Sequence, residues 1–115
     1  MRIKTTVVLF LVAILGISSV AFAAEEDGRS LAFDKKKGNC LACHAIPSDP
    51  KAEAPGNIGP PLANIKSLYP DRAKLRAQIW DATVANPETV MPPFGRNKIL
   101  TEHEIDLITD YVYGL

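Results

Sequence analysis

The stretch Cys40-Leu41-Ala42-Cys43-His44 constrains this chain more than any other. It has the form C-x-x-C-H, the attachment signal for a c-type haem. Two thiols at that spacing can each add to one vinyl group of the same porphyrin. The following residue, His44, then supplies the proximal imidazole to the iron. Rival readings start from the same residues. A redox C-x-x-C belongs at a strand-to-helix turn in a βαβ context, and no alternating strand pattern precedes this one. A zinc site could draw on Cys40, Cys43, His44 and His103. However, histidines 59 positions apart do not fit the usual pairing, and the adjacent Cys43 and His44 are awkward ligands for one tetrahedral ion. A plain disulfide is the third alternative.

A chain of 115 residues allows one domain. Residues 1–23 read as a cleaved secretory signal: Arg2 and Lys4 give a basic start, an apolar run follows from Val7 to Ile17, and Ala21-Phe22-Ala23 is an A-x-A exit. The alternative is an uncleaved anchor, which Gly16, Ser18 and Ser19 argue against. The remaining domain, 24–115, is expected to be periplasmic, with no membrane attachment once the signal is gone. The signal holds two of the 13 basic residues and none of the 13 acidic ones, so the remainder carries a net charge of −2. That balance gives no case for a nucleic-acid partner. The domain is marginal in size for a self-sufficient core. Haem would supply the missing apolar surface, and the haem-free form is expected to be largely unfolded.

The rest of the mature chain reads as helices separated by long Pro/Gly loops. Residues 28–37 suit a helix, with Leu31, Ala32 and Phe33 apolar, Lys35, Lys36 and Lys37 near the C-terminal end of the dipole, and Gly38 as its stop. The lysines read as a solvated helix end or as a docking patch for an acidic partner. Residues 45–69, rich in Pro and Gly, show no regular element, and such a loop is expected to pack on a porphyrin edge. Within it, Gly59-Pro60-Pro61-Leu62 is either a plain turn or the source of a rigid carbonyl that accepts the His44 Nδ1–H. Residues 71–81 suit a helix with Leu75 and Ile79 on one face and Arg72, Lys74 and Arg76 mostly on the other. Trp80 is a core residue or, alternatively, a haem-propionate contact through its N–H.

Val90-Met91-Pro92-Pro93-Phe94-Gly95 contains the one methionine left after the leader. The prolines hold it on a stiff, extended segment. A thioether fixed in that way can serve as sixth ligand of a haem iron, the competing role being gap filler in a core. His103 is the rival distal ligand. Thr101 and Glu104 form a capping box for a last helix, with Ile105, Ile108 and Val112 in one stripe and Gly114 at its end.

This order of helix, C-x-x-C-H, Gly-Pro loop, middle helix, M-P-P-F and C-terminal helix resembles the class I cytochrome c family over essentially the whole mature chain. The resemblance implies an all-α fold, with crossed N- and C-terminal helices around one covalently bound haem c. It also implies roles: Cys40 and Cys43 as attachment sites, His44 and Met91 as axial ligands, Pro60 as carbonyl partner of His44, and Tyr111 as the aromatic packed on the first helix. Phe33 stands seven residues before Cys40, longer than the family's spacing, which leaves its packing partner open. The segments 38–47, 78–81 and 86–95 look closest to the SoxX branch, the monohaem subunits of SoxAX complexes. That likeness implies a heterodimer with a SoxA-like cytochrome that carries the catalysis, joining thiosulfate to a cysteine of a SoxYZ-like carrier as an L-cysteine S-thiosulfotransferase. The present chain would be the non-catalytic electron-transfer subunit, passing electrons to an acceptor cytochrome c. A free diffusible class I cytochrome c unrelated to sulfur oxidation is the main alternative, and a haem enzyme or gas sensor with Met91 displaced is a third.

Overall fold

The structure, a computed structural model, describes residues 26–115. The expected signal at 1–23 lies outside the described residues. Four α-helices follow in order: α1 (Gly28–Phe33), α2 (Ile65–Leu68), α3 (Arg72–Trp80) and α4 (Glu102–Tyr113). Single 3₁₀ turns occur at Cys40–Ala42 and Ala82–Val84, and there is no strand among the described residues.

The longest helix, α4, starts where the sequence marks it. The Glu104 N–H donates to Thr101 Oγ1 at 3.1 Å, and the Thr101 N–H donates to Glu104 Oε2 at 2.8 Å. Two otherwise orphaned donors are thereby satisfied reciprocally. Ile105, Ile108 and Val112 are buried, as is Thr109, whose hydroxyl donates back to the Ile105 carbonyl at 2.6 Å. At the other end of the chain, α1 starts with Asp27 accepting from the Ser30 N–H. The two helices cross almost backbone to backbone. A methyl group on Gly28 would lie 2.0 Å from the Leu107 carbonyl oxygen, so only glycine permits this approach. Phe33 and Tyr111 close the crossing edge to face, with ring centroids 6.2 Å apart. This settles the partner of Phe33 despite its unusual spacing.

Helix α1 is shorter than the sequence predicts. It ends at Phe33 because the Asp34 carboxylate captures the Lys36 N–H at 2.7 Å and turns the chain. The lysines therefore lie in a turn, and not on a helix end. Lys37 pairs with Glu104 of α4, whereas Lys35 and Lys36 are exposed. Nor is Gly38 a left-handed cap: Asn39 takes that conformation, with φ 48°. Gly38 is small because its neighbours are close, with Cys40 Sγ only 3.3 Å from where a Cβ would sit.

Helix α3 runs between Asp71, which caps it by accepting from the Ala73 N–H, and Asp81. Leu75 and Ile79 face the core. Arg72 and Arg76 do not simply face water but reach across to Asp110 and Asp106 of α4, each at 2.6 Å. Pairs this exposed are worth about 0–1 kcal/mol each.

The stretch 45–69 departs from expectation in two ways. It contains the one-turn helix α2, entered through Asn64 at φ 54°. It is also stitched to the C-x-x-C-H segment by its own backbone: the N–H groups of Gly56, Gly59 and Leu62 donate to the carbonyls of Leu41, Cys43 and Ala45, each at 2.8 Å. Asp49 pins the same loop to the helix crossing. Arg29 donates to both of its carboxylate oxygens, and the Tyr111 hydroxyl donates to it at 2.9 Å. The Arg29 guanidinium also lies over the Phe33 ring.

Arg29 holds the Asp49 carboxyl well below the usual carboxylate range, and burial pushes the Tyr111 hydroxyl up to about 12. Because the folded Asp49 has the lower affinity for protons, its stabilising effect is present above the ordinary carboxylate pKa of about 4 and is lost as pH falls below it. Asp49→Asn is expected to lower the melting temperature of the holoprotein at about pH 7, with the gap to wild type closing towards about pH 2. Parallel curves over that range would contradict the assignment.

Candidate haem site

The helices and the loop leave a cavity of about 650 Å³ between them. Its walls are mostly apolar, with Ile65, Leu75, Ile79, Phe94, Ile108 and Val112 contributed by the core. Cys40, Cys43, His44, Pro60 and Met91 all line it, although they come from three separate stretches of sequence. The volume lies within the range of small-molecule and cofactor sites, about 300–1,000 Å³.

The 3₁₀ turn Cys40–Ala42 brings the two cysteines and His44 together, and the His44 N–H donates to the Cys40 carbonyl at 2.9 Å. Burial pushes the Cys40 thiol up to about 11, so it is held protonated. That state is unfavourable for a redox nucleophile. Among the described residues no three His, Cys, Asp or Glu side chains converge as a metal cluster. His103 stands exposed on the first turn of α4 and does not line the cavity.

His44 is fixed by two contacts. Its Nδ1 lies 2.6 Å from the Pro60 carbonyl oxygen. A carbonyl can only accept, so Nδ1 carries the proton and Nε2 keeps its lone pair. The imidazole also lies flat against Gly59, where an added Cβ would come within 2.3 Å of the ring. The sequence marks Gly59-Pro60 as a rigid turn, but it does not show that Gly59 is small in order to seat the imidazole. Met91 is half-buried, packed against the core, with its N–H donating to Thr89 Oγ1 at 3.2 Å.

Trp80 does not line this cavity. Its ring covers Gly95, leaving no room for a Cβ there, and lies under the Arg76 guanidinium at 5.5 Å. Tyr69, Gln78 and Thr89 are polar lining residues that the sequence did not single out, and Lys35 to Lys37 reach the rim. A cavity walled by hydrocarbon, with two thiols beside a lone-pair nitrogen and a thioether in the same lining, fits a covalently attached haem.

Comparisons with known proteins point the same way. Residues 23–112 match the family model described as cytochrome C oxidase, cbb3-type, subunit III. A protein of Aquifex aeolicus (strain VF5), described as an uncharacterized lipoprotein, is 37% identical over 78 residues, covering 68% of this chain and 37% of its own length. The chain therefore spans little more than a third of that relative. Among solved structures, the crystal structure of SoxXA from P. pantotrophus is similar with a TM-score of 0.68 and 26% identity, covering 75% of this chain and 77% of that one.

Proposed function

Because the chain belongs to the family described as cytochrome c oxidase, cbb3-type, subunit III, and is an all-α electron-transfer domain with one covalent haem c, we propose that it serves as the electron-transfer subunit of a SoxAX-like thiosulfate-oxidising complex. In this reading residues 1–23 direct export and are removed, and the domain 24–115 works in the periplasm. No helix among the described residues is long and apolar enough to cross a membrane. The observation that carries the proposal is the likeness to SoxXA over three quarters of both chains.

Once bound, the haem supplies a one-electron couple. The chain would hold it by thioether bonds to Cys40 and Cys43, with the His44 Nε2 and the Met91 sulfur as ligands to its iron. Pro60 keeps the His44 proton on Nδ1, so the ligand nitrogen stays available and its plane stays fixed. With both ligands supplied by the chain, the metal would offer substrate no open position, and the site would suit outer-sphere electron transfer. The apolar walls keep water away and limit the rearrangement that accompanies a change of charge. Catalysis then belongs to a SoxA-like partner: joining one thiosulfate to one carrier thiolate forms a sulfur–sulfur bond and releases two electrons. This chain would pass these one at a time to an acceptor cytochrome c.

The test is reconstitution. Thiosulfate and a SoxYZ-like carrier are expected to reduce this haem only when the SoxA-like cytochrome is present, and the two cytochromes are expected to co-purify. Monomeric behaviour on co-expression, with no thiosulfate-dependent reduction, would overturn the proposal in favour of a free diffusible carrier.

A further inference from the structure

The segment that carries Met91 has few fixings of its own. Among the described residues, the backbone hydrogen bonds of 87–93 run only to neighbours within 86–97. The first tie to another element comes immediately downstream, at the end of α3. The N–H groups of Gly95 and Arg96 both donate to the Trp80 carbonyl, at 3.0 and 3.3 Å. The Arg96 side chain then reaches past it: one terminal nitrogen donates to Asp81 Oδ2 at 2.9 Å and to Thr83 Oγ1 at 3.0 Å. Asp81 is 8% exposed and is also held by the Thr83 N–H and hydroxyl. The Trp80 ring closes over Gly95 from the same side.

These contacts have a direction. Leu75, Gln78 and Ile79 of α3 line one wall of the cavity, and Met91 lines it from the loop that Arg96 ties back. Between Met91 and Arg96 stand two prolines and the buried Phe94, a short and stiff connection. The contacts to Trp80, Asp81 and Thr83 therefore fix the separation between the α3 wall and the thioether.

We propose that Arg96, through its hydrogen bonds to Asp81 and Thr83, is a positioning residue that holds the Met91 sulfur in place as distal ligand. The inference rests on the reading of Met91 as that ligand. Nothing in it requires Arg96 to touch the haem. Its guanidinium is half-exposed on the outer side of α3, so the pair is accessible to solvent and its effect on overall stability is small. Its effect on the Met91 segment is larger, because the hydrogen bonds that tie 91–96 to the end of α3 and the turn after it are those of Gly95 and Arg96.

The test uses the exported holoprotein and the Arg96→Ala, Arg96→Lys, Asp81→Asn and Met91→Ala variants. The readouts are the thioether–iron charge-transfer band of the oxidised form and carbon monoxide binding by the reduced form at neutral pH. Arg96→Ala and Asp81→Asn are expected to weaken the band and to raise the population open to carbon monoxide by up to about fivefold, the shift that a half-exposed ion pair can supply. Far-UV circular dichroism and melting temperature should stay close to wild type. Arg96→Lys, which keeps the charge but loses the fork, should recover part of the band. If Arg96→Ala and Asp81→Asn both keep the full band and exclude carbon monoxide while Met91→Ala loses the band, the positioning role is wrong and the ligand assignment stands. A full band in Met91→Ala removes the ligand assignment itself. Should Arg96→Ala fail to accumulate, Asp81→Asn decides between the same outcomes.

Discussion

Exported with Cys40→Ala and Cys43→Ala together, the chain is expected to be colourless and largely unfolded, with most of its helix signal lost and no cooperative melt. The reason lies in the cavity. The pocket of about 650 Å³ is open to solvent and lined mostly by apolar side chains, and wetting that lining in place of a porphyrin forfeits about 25 cal/mol per Å² of apolar surface. The whole stability of a typical domain is only about 5–15 kcal/mol. Leu75, Ile79 and Phe94 of the core contribute to that lining. The helix crossing alone offers Leu31, Ala32, Ile105 and Ile108 as fully enclosed apolar side chains, too few to hold four short helices. Haem-free protein with native-like circular dichroism and a sharp thermal transition would show that the shell stands on its own.

Met91→Ala is expected to leave the fold and the covalent haem in place and to change the iron's properties. The side chain is half-buried at the cavity wall, so its loss costs little packing. Removing the thioether opens a coordination position and removes the ligand that raises the potential. The potential should fall by on the order of a hundred millivolts, a fraction of the roughly 0.8 V spanned by axial ligation. The reduced variant should bind carbon monoxide at neutral pH. An unchanged potential and spectrum would reassign the ligand. His103 is then the next residue to consider, although it stands outside the cavity, on the exposed first turn of α4.

Local signals were easiest to read from the sequence. The Thr101–Glu104 box fixes the start of α4, because capping depends on side chains three or four positions apart, and the spacing of Leu75 and Ile79 places α3 within a residue at each end. The overlong first helix has the same origin in reverse: Asp34 competes for the Lys36 N–H, and a run of helix-compatible residues hides that competition. Helix α2 was missed because a single turn between Asn64 and Tyr69, in a proline-rich stretch, has no periodicity to detect.

Of the site, the residue types with special chemistry were legible: the thiols, the imidazole and the thioether. The residues that aim them were not. Asp49 meets Arg29 and Tyr111, Arg96 meets Asp81, and Gly59 meets the His44 ring, and each of these pairings depends on how the loops fold back. Trp80 shows the limit most clearly. Of its two readings, core residue or propionate contact, the first holds in part: Trp80 packs against the core, and its ring also covers Gly95 under Arg76, where it helps to fix the loop behind Met91.

The central claim is that the iron is closed on both sides by the chain's own side chains and therefore moves electrons without binding substrate. The most direct measurement is the absorption spectrum of the reduced, exported holoprotein before and after addition of carbon monoxide, at neutral pH and without denaturant. The spectrum is expected not to change. Formation of the carbon monoxide complex in full would contradict the account.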